Sequence, residues 1–146
     1  MSIENITPSQ AQALLTGDTG HAYIDVRSEP EFEQGHPAGA LNIPYMHQQD
    51  GGMVPNPDFV EVVEHLFEED DKLILGCQSG VRSSYAAQEL MAMGFTDLAN
   101  VEGGFGGAQD AMGQIVEKGW LQLDLPVEKG AHPERGYQAL RDRAGR

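Results

Sequence analysis

Cysteine occurs once in these 146 residues, at position 77. A lone thiol cannot close an internal disulfide, so nothing in the composition points to an oxidising compartment. Nor does it build a metal site, because His21, His36, His47, His65 and His132 lie scattered, without ligand spacing or a cysteine partner. Long apolar runs are missing too. None approaches the length of a membrane span, and Met1-Ser2-Ile3-Glu4-Asn5 lacks the basic and apolar stretches of a secretion signal. The expectation is a cytoplasmic protein with no membrane partner, no metal and no cofactor.

Positive charge is equally scarce. Nine lysines and arginines face 23 acidic residues, for a net charge of −14. Lys129, Arg135, Arg141, Arg143 and Arg146 all fall in the last 18 positions, beside only Glu134 and Asp142, so residues 129–146 carry +3 and residues 1–128 carry −17. Such a body repels a polynucleotide, and nucleic acid is not an expected partner. The four basic residues of the body, Arg27, Lys72, Arg82 and Lys118, therefore each call for an explanation.

What is present is enough chain for one hydrophobic core, and one stretch around which the rest is arranged. The apolar run Leu73-Ile74-Leu75 has no polar alternation, as in a strand covered on both faces. It leads to Cys77, then to the short polar loop Gln78-Ser79-Gly80-Val81-Arg82-Ser83, then to a helix expected over Ser84 to Met93 and ended by Gly94. A thiol at a strand end, facing the free N–H groups of a helix start, sits where negative charge is stabilised. A buried structural cysteine is the commoner fate of a lone thiol. The loop, the arginine and the helix start together favour a nucleophile.

The chain before that stretch alternates helix and strand. Thr7 and Gln10 form a capping box for a helix ended by Gly17, and Ala22 to Arg27 reads as a strand. Ser28 and Glu31 form a second capping box for a helix from Glu29 to Gln34, and Leu41-Asn42-Ile43 is a short strand. Residues 45–56 read as an excursion loop, followed by an amphipathic helix capped by Asn56 and started by Pro57. After the cysteine loop come a strand from Leu98 to Val101, the glycine-rich turn Gly103-Gly104-Phe105-Gly106-Gly107, and a weak helix running to Val116. Trp120 to Val127 closes the body. The basic tail is expected as a short helix from Glu134 to Arg143 or as a flexible segment. This alternation argues an α/β domain with a largely parallel sheet.

Three motifs in order, Ile24-Asp25-Val26-Arg27-Ser28-Glu29-Pro30-Glu31-Phe32, Gly35-His36-Pro37-Ala38-Gly39-Ala40-Leu41-Asn42-Ile43-Pro44 and Cys77-Gln78-Ser79-Gly80-Val81-Arg82-Ser83, resemble a single-domain rhodanese, a sulfurtransferase. Gly103-Gly104 with Phe105 is similar to that family's later glycine pair. The family commonly carries a tryptophan soon after that pair, where this chain has Gly106-Gly107-Ala108-Gln109-Asp110. The resemblance implies a rhodanese-like α/β fold over residues 1–128, with a central, largely parallel five-stranded sheet flanked by helices on both faces. Residues 129–146 are a basic C-terminal extension outside it.

The resemblance also implies a function: sulfane sulfur moves from thiosulfate or a persulfide donor to a thiophilic acceptor through a Cys77 persulfide. The acceptor would be a thiol, cyanide or a protein. Cys77 is the expected nucleophile, and Arg82 is expected to point inward, bonding loop carbonyls and stabilising the bound anion. Gln78, Ser79, Gly80 and Val81 are expected to bind substrate mainly through N–H groups, and Ser83 through its hydroxyl. Asp25 and Arg27, two apart on a strand, are expected to form a structural salt bridge. Cysteine-loop phosphatases place five residues between cysteine and arginine, whereas Cys77 and Arg82 are separated by four, a smaller ring better matched to one sulfur. A phosphatase or arsenate reductase is therefore the lesser alternative. A sulfur carrier or sensor with little turnover of its own is the other.

Overall fold

Leu73, Ile74 and Leu75 are at most 1% exposed, and their side chains alternate between two separate hydrophobic clusters. That alternation is what a strand in the middle of a doubly covered sheet requires. The computed structural model describes residues 3–146. Its elements in chain order are β1 (Glu4–Ile6), α1 (Pro8–Thr16), β2 (Ala22–Asp25), α2 (Glu29–Gln34), β3 (His36–Pro37) and β4 (Leu41–Asn42). There follow β5 (Met46–Gln49), β6 (Gly52–Pro55), α3 (Phe59–Leu66), β7 (Lys72–Gly76), α4 (Val81–Ala92) and β8 (Asp97–Val101). The last are β9 (Ala108–Gln109), β10 (Ile115–Glu117), β11 (Val127–Glu128) and α5 (Tyr137–Arg143).

Five strands form one sheet in the order β1-β8-β7-β2-β4, and every pairing in it is parallel. One face packs Ile24, Leu73, Leu75 and Leu98 against α3, α4 and α5. The other packs Tyr23, Ile74 and Ala99 against α1, α2 and Trp120. The central strand β7 ends at Gly76, so Cys77 emerges at the carboxyl edge of the sheet, where open α/β sheets form their crevices.

The caps before β4 follow the sequence. Gln10 N donates to Thr7 Oγ1 at 3.2 Å, and Thr7 N donates to Gln10 Oε1 at 2.9 Å. Ser28 N donates to Glu31 Oε1 at 3.2 Å.

Several segments differ from the reading of the sequence. Residues 45–56 are not a plain loop: β5 and β6 form an antiparallel hairpin about Asp50-Gly51, both at positive φ (51° and 79°). Those angles are the demand of a two-residue hairpin turn, and Asp-Gly meets it. Helix α3 starts at Phe59 rather than Pro57, because Asn56 Oδ1 accepts from Asp58 N and holds those residues in a turn. Helix α4 begins at Val81, three residues earlier than expected, since Gly80 at φ +105° lets its carbonyl accept from Ser84 N. The weak helix to Val116 is a hairpin of β9 and β10, turned by Asp110, whose Oδ1 accepts from the amides of Met112 and Gln114.

Beyond Glu128 the chain forms the short helix α5, which is anchored. Tyr137 and Leu140 are 3% and 0% exposed and share the core of β7, α3 and α4. Asn56 Nδ2 donates to the Tyr137 hydroxyl at 3.1 Å, tying the helix to the turn before α3.

Candidate active site

Between β7 and α4 the chain has four residues in which to turn, and Gly80 makes this possible. Its φ of +105° is a left-handed conformation that side chains resist, and a Cβ there would stand 3.2 Å from the Val101 carbonyl oxygen. The turn points amides inward. Gly80 N donates to Cys77 Sγ at 3.1 Å and Ser83 N at 3.4 Å, while Ser83 Oγ lies 3.3 Å from the same sulfur. Cys77 as a residue is 2% exposed, so its sulfur lies at the floor of the loop. Ser79 and Val81 instead line an adjoining cleft of about 600 Å³ with Gln78, Gly80, Asn100 and Gly106.

The glycine segment holds the loop from behind. Phe105 N donates to Cys77 O at 2.8 Å, and Gly106 N donates to Gln78 O at 2.9 Å. A Cβ on Gly104 would run into the Cys77 carbonyl oxygen, so only glycine allows these two strips of backbone to meet. Behind them Trp120 is fully buried. Its backbone N–H donates to Gly104 O at 2.9 Å, and its ring meets Tyr23 edge-on at 5.8 Å between centroids. The chain thus brings its single tryptophan to the glycine pair from fifteen residues beyond Phe105.

Arg82 is not where the sequence put it. Its Nη1 and Nη2 donate to Glu31 Oε1 and Oε2 at 2.8 and 2.9 Å, a fork on a carboxylate rather than contacts to loop carbonyls. The reason is electrostatic. A cation in the first turn of a helix is unfavourable unless an anion stands beside it, and α2 supplies that anion. Burial alone would raise the Glu31 carboxyl, but the bonds from Arg82 and Ser28 outweigh it and hold it down to about 2. The same bond raises the Arg82 guanidinium above its ordinary value.

Asp25 and Arg27 form a buried pair, with Nη2 to Oδ2 at 2.8 Å and Nε to Oδ1 at 3.0 Å. Arg27 Nη2 also donates to Gly35 O at 2.6 Å, Nη1 reaches Gln78 Oε1 at 3.5 Å, and the guanidinium carbon lies 4.3 Å from the centre of the Phe105 ring. The pair therefore braces the loop through Gln78 as well as joining β2 to the end of α2. Gln78 acts here by its side chain and carbonyl.

Three neighbours of the loop were not read as site residues in the sequence. Glu31 was visible as half of a capping box and as a member of the first family motif. Phe105 was seen beside the glycine pair. Asn100, 6% exposed, takes the Ser83 hydroxyl on Oδ1 at 2.5 Å and donates from Nδ2 to Gly80 O at 3.3 Å. The available signal was a polar residue inside the apolar strand Leu98-Ala99-Asn100-Val101.

The chain can now be set beside known proteins. A family described as "Rhodanese-like domain" matches residues 7–111. "Thiosulfate sulfurtransferase 16, chloroplastic" of Arabidopsis thaliana is 44% identical over 108 residues, covering 72% of this chain and 90% of that protein. "Senescence-associated protein DIN1" of Raphanus sativus is 39% identical over 110 residues, covering 75% of this chain but only 54% of that one. Among solved structures, the Rv0390 protein of M. tuberculosis superposes with a TM-score of 0.73 at 29% identity, over 89% of this chain and all (100%) of the other. With the parallel sheet, the cysteine loop at its carboxyl edge and this likeness together, the chain belongs to the rhodanese-like domain family.

Proposed function

We propose that the protein is a sulfurtransferase that carries sulfane sulfur on Cys77. The observation that supports it is the convergence of Gly80 N, Ser83 N and Ser83 Oγ on one sulfur at 3.1 to 3.4 Å. Two amide donors, with a hydroxyl that can turn its proton from Asn100 to the sulfur, suit a sulfur bearing negative charge, whether thiolate or persulfide.

With thiosulfate as donor, the Cys77 thiolate attacks the outer sulfur and a new S–S bond forms. The donor's own S–S bond breaks, and sulfite leaves with the electron pair. No proton is needed, so the lack of a histidine at the loop is no obstacle. The anionic persulfide then passes its outer sulfur to a thiol or to cyanide, and the Cys77 thiolate is restored. A low-molecular-weight or protein persulfide serves as donor by the same attack. A thiol that must return reduced after each cycle favours a reducing compartment such as the cytoplasm.

Mass spectrometry after incubation with thiosulfate is expected to find one added sulfur, about 32 Da, in the wild type and none in Cys77→Ala. A wild type that gains nothing from any sulfane donor overturns the reading. Repeated thiocyanate formation with cyanide identifies an enzyme, and a single loading identifies a carrier.

A further inference from the structure

Rhodanese loops meet anions, yet the two guanidiniums beside this loop are already matched by carboxylates. Arg27 is held by Asp25 at 2.8 Å, and Arg82 is held at both nitrogens by Glu31. The second pair lies near the surface, with side chains 21% and 28% exposed, so an arriving donor meets it. Glu31, Arg27, Gln34, Gly35, Gln78, Phe105 and Leu121 line one cleft of about 410 Å³ at the loop. Arg82 directly precedes Ser83, whose N and Oγ lie 3.4 and 3.3 Å from Cys77 Sγ, so the pair borders the loop that holds the reacting sulfur. The body around it is strongly acidic, and the residue after the cysteine is the neutral Gln78.

We propose that Glu31 is a specificity-determining residue: by neutralising Arg82 it turns the site away from dianionic donors and toward donors with a single negative charge, such as organic persulfides and thiosulfonates. The proposal rests on the sulfurtransferase reading above. Its physics is a difference of charge. Thiosulfate brings two negative charges to a site with no unmatched guanidinium, whereas a thiosulfonate or persulfide end brings one. In each case the thiolate attacks the terminal sulfane sulfur of the anion. The bond from that sulfur to the rest of the donor breaks, and the leaving group carries off the electron pair: sulfite from thiosulfate, sulfinate from a thiosulfonate, thiolate from a persulfide.

Glu31→Gln separates the charge from the scaffold. Glutamine keeps an Oε1 to accept from Ser28 N, and glutamine serves as well as glutamate in a capping box, so α2 is retained. The freed Arg82 then adds one uncompensated positive charge. At about 6 Å through a water-like medium, such a charge is worth about threefold per unit of donor charge. Sulfur loading of Cys77 is measured with thiosulfate and with methanethiosulfonate, for wild type and Glu31→Gln, at low and moderate salt.

The expected result is a gain of about tenfold in kcat/KM for thiosulfate and about threefold for methanethiosulfonate, shrinking as salt screens the new charge. The ratio of the two donors is independent of the fraction of protein that is active, so a partly misfolded variant still reports. An unchanged ratio, or an equal loss with both donors, overturns the proposal while leaving the sulfurtransferase reading intact. A wild type that gains no sulfur from either donor overturns both.

Discussion

Ser83 Oγ lies 2.5 Å from Oδ1 of Asn100, and that hydroxyl has one proton to give. While Asn100 holds it, the sulfur 3.3 Å away meets the lone pairs of that hydroxyl, which suits a thiol that donates its own proton. When the sulfur is anionic, the hydroxyl has to turn toward it. The pair thus lets one residue serve both forms of Cys77.

Ser83→Ala removes a hydrogen bond to an anionic sulfur, an interaction of about 1.5 kcal/mol or more, so sulfur loading of Cys77 is expected to slow by roughly tenfold. Asn100→Asp is expected to slow it as well, because a carboxylate grips the Ser83 proton and adds negative charge beside the loop. Stopped-time mass spectrometry of the persulfide checks both. Loading of Ser83→Ala at the wild-type rate would show that the hydroxyl plays no part.

The Glu31 carboxyl sits at about 2 in the folded protein against an ordinary 4.5, with burial opposing and the bonds from Arg82 and Ser28 prevailing. A carboxyl lowered by folding contributes stability that is whole above about 4.5 and drains away as the pH falls toward 2. Wild type is therefore expected to exceed Glu31→Gln in urea stability at neutral pH, with the gap closing across that acid range. A gap that stays constant from pH 7 to 2 contradicts the assignment of that stability to an ion pair.

Leu140 is fully buried in the core shared with β7, α3 and α4, although it lies in the basic tail. Leu140→Ala is expected to cost 2–5 kcal/mol, as for a leucine lost from a packed core. Urea denaturation of the full chain measures it. A loss below about 0.5 kcal/mol, the size of a surface substitution, would mean that α5 is dispensable to the fold.

The elements legible in the sequence were those with strong local chemistry. Thr7 and Gln10 announced α1 because two side chains and two amides satisfy one another within four residues. Leu73-Ile74-Leu75 announced the central strand because only a doubly covered strand is apolar on both faces. The hairpin of β5 and β6 went unread although Asp50-Gly51 is a good turn signal, because Gly51-Gly52 and Pro55 look like loop punctuation. Asp110 turned an expected helix into a hairpin by a side-chain bond of the same local kind, competing with helical bonding.

By itself the sequence determined the helices α1, α2 and α4, the sheet strands β2, β4, β7 and β8, the position of the thiol after the central strand, and the family motifs around it. These follow from bonds and periodicities spanning a few residues. Only the tertiary structure decided what Arg82 touches, because Glu31 lies 51 positions away and its reach across α2 is set by how the sheet stacks. The same holds for Asn100 beneath Ser83, Trp120 against the glycine pair and Leu140 in the core. Charge and burial act through space, so the chain had to fold before its own carboxylate could answer the arginine at the loop.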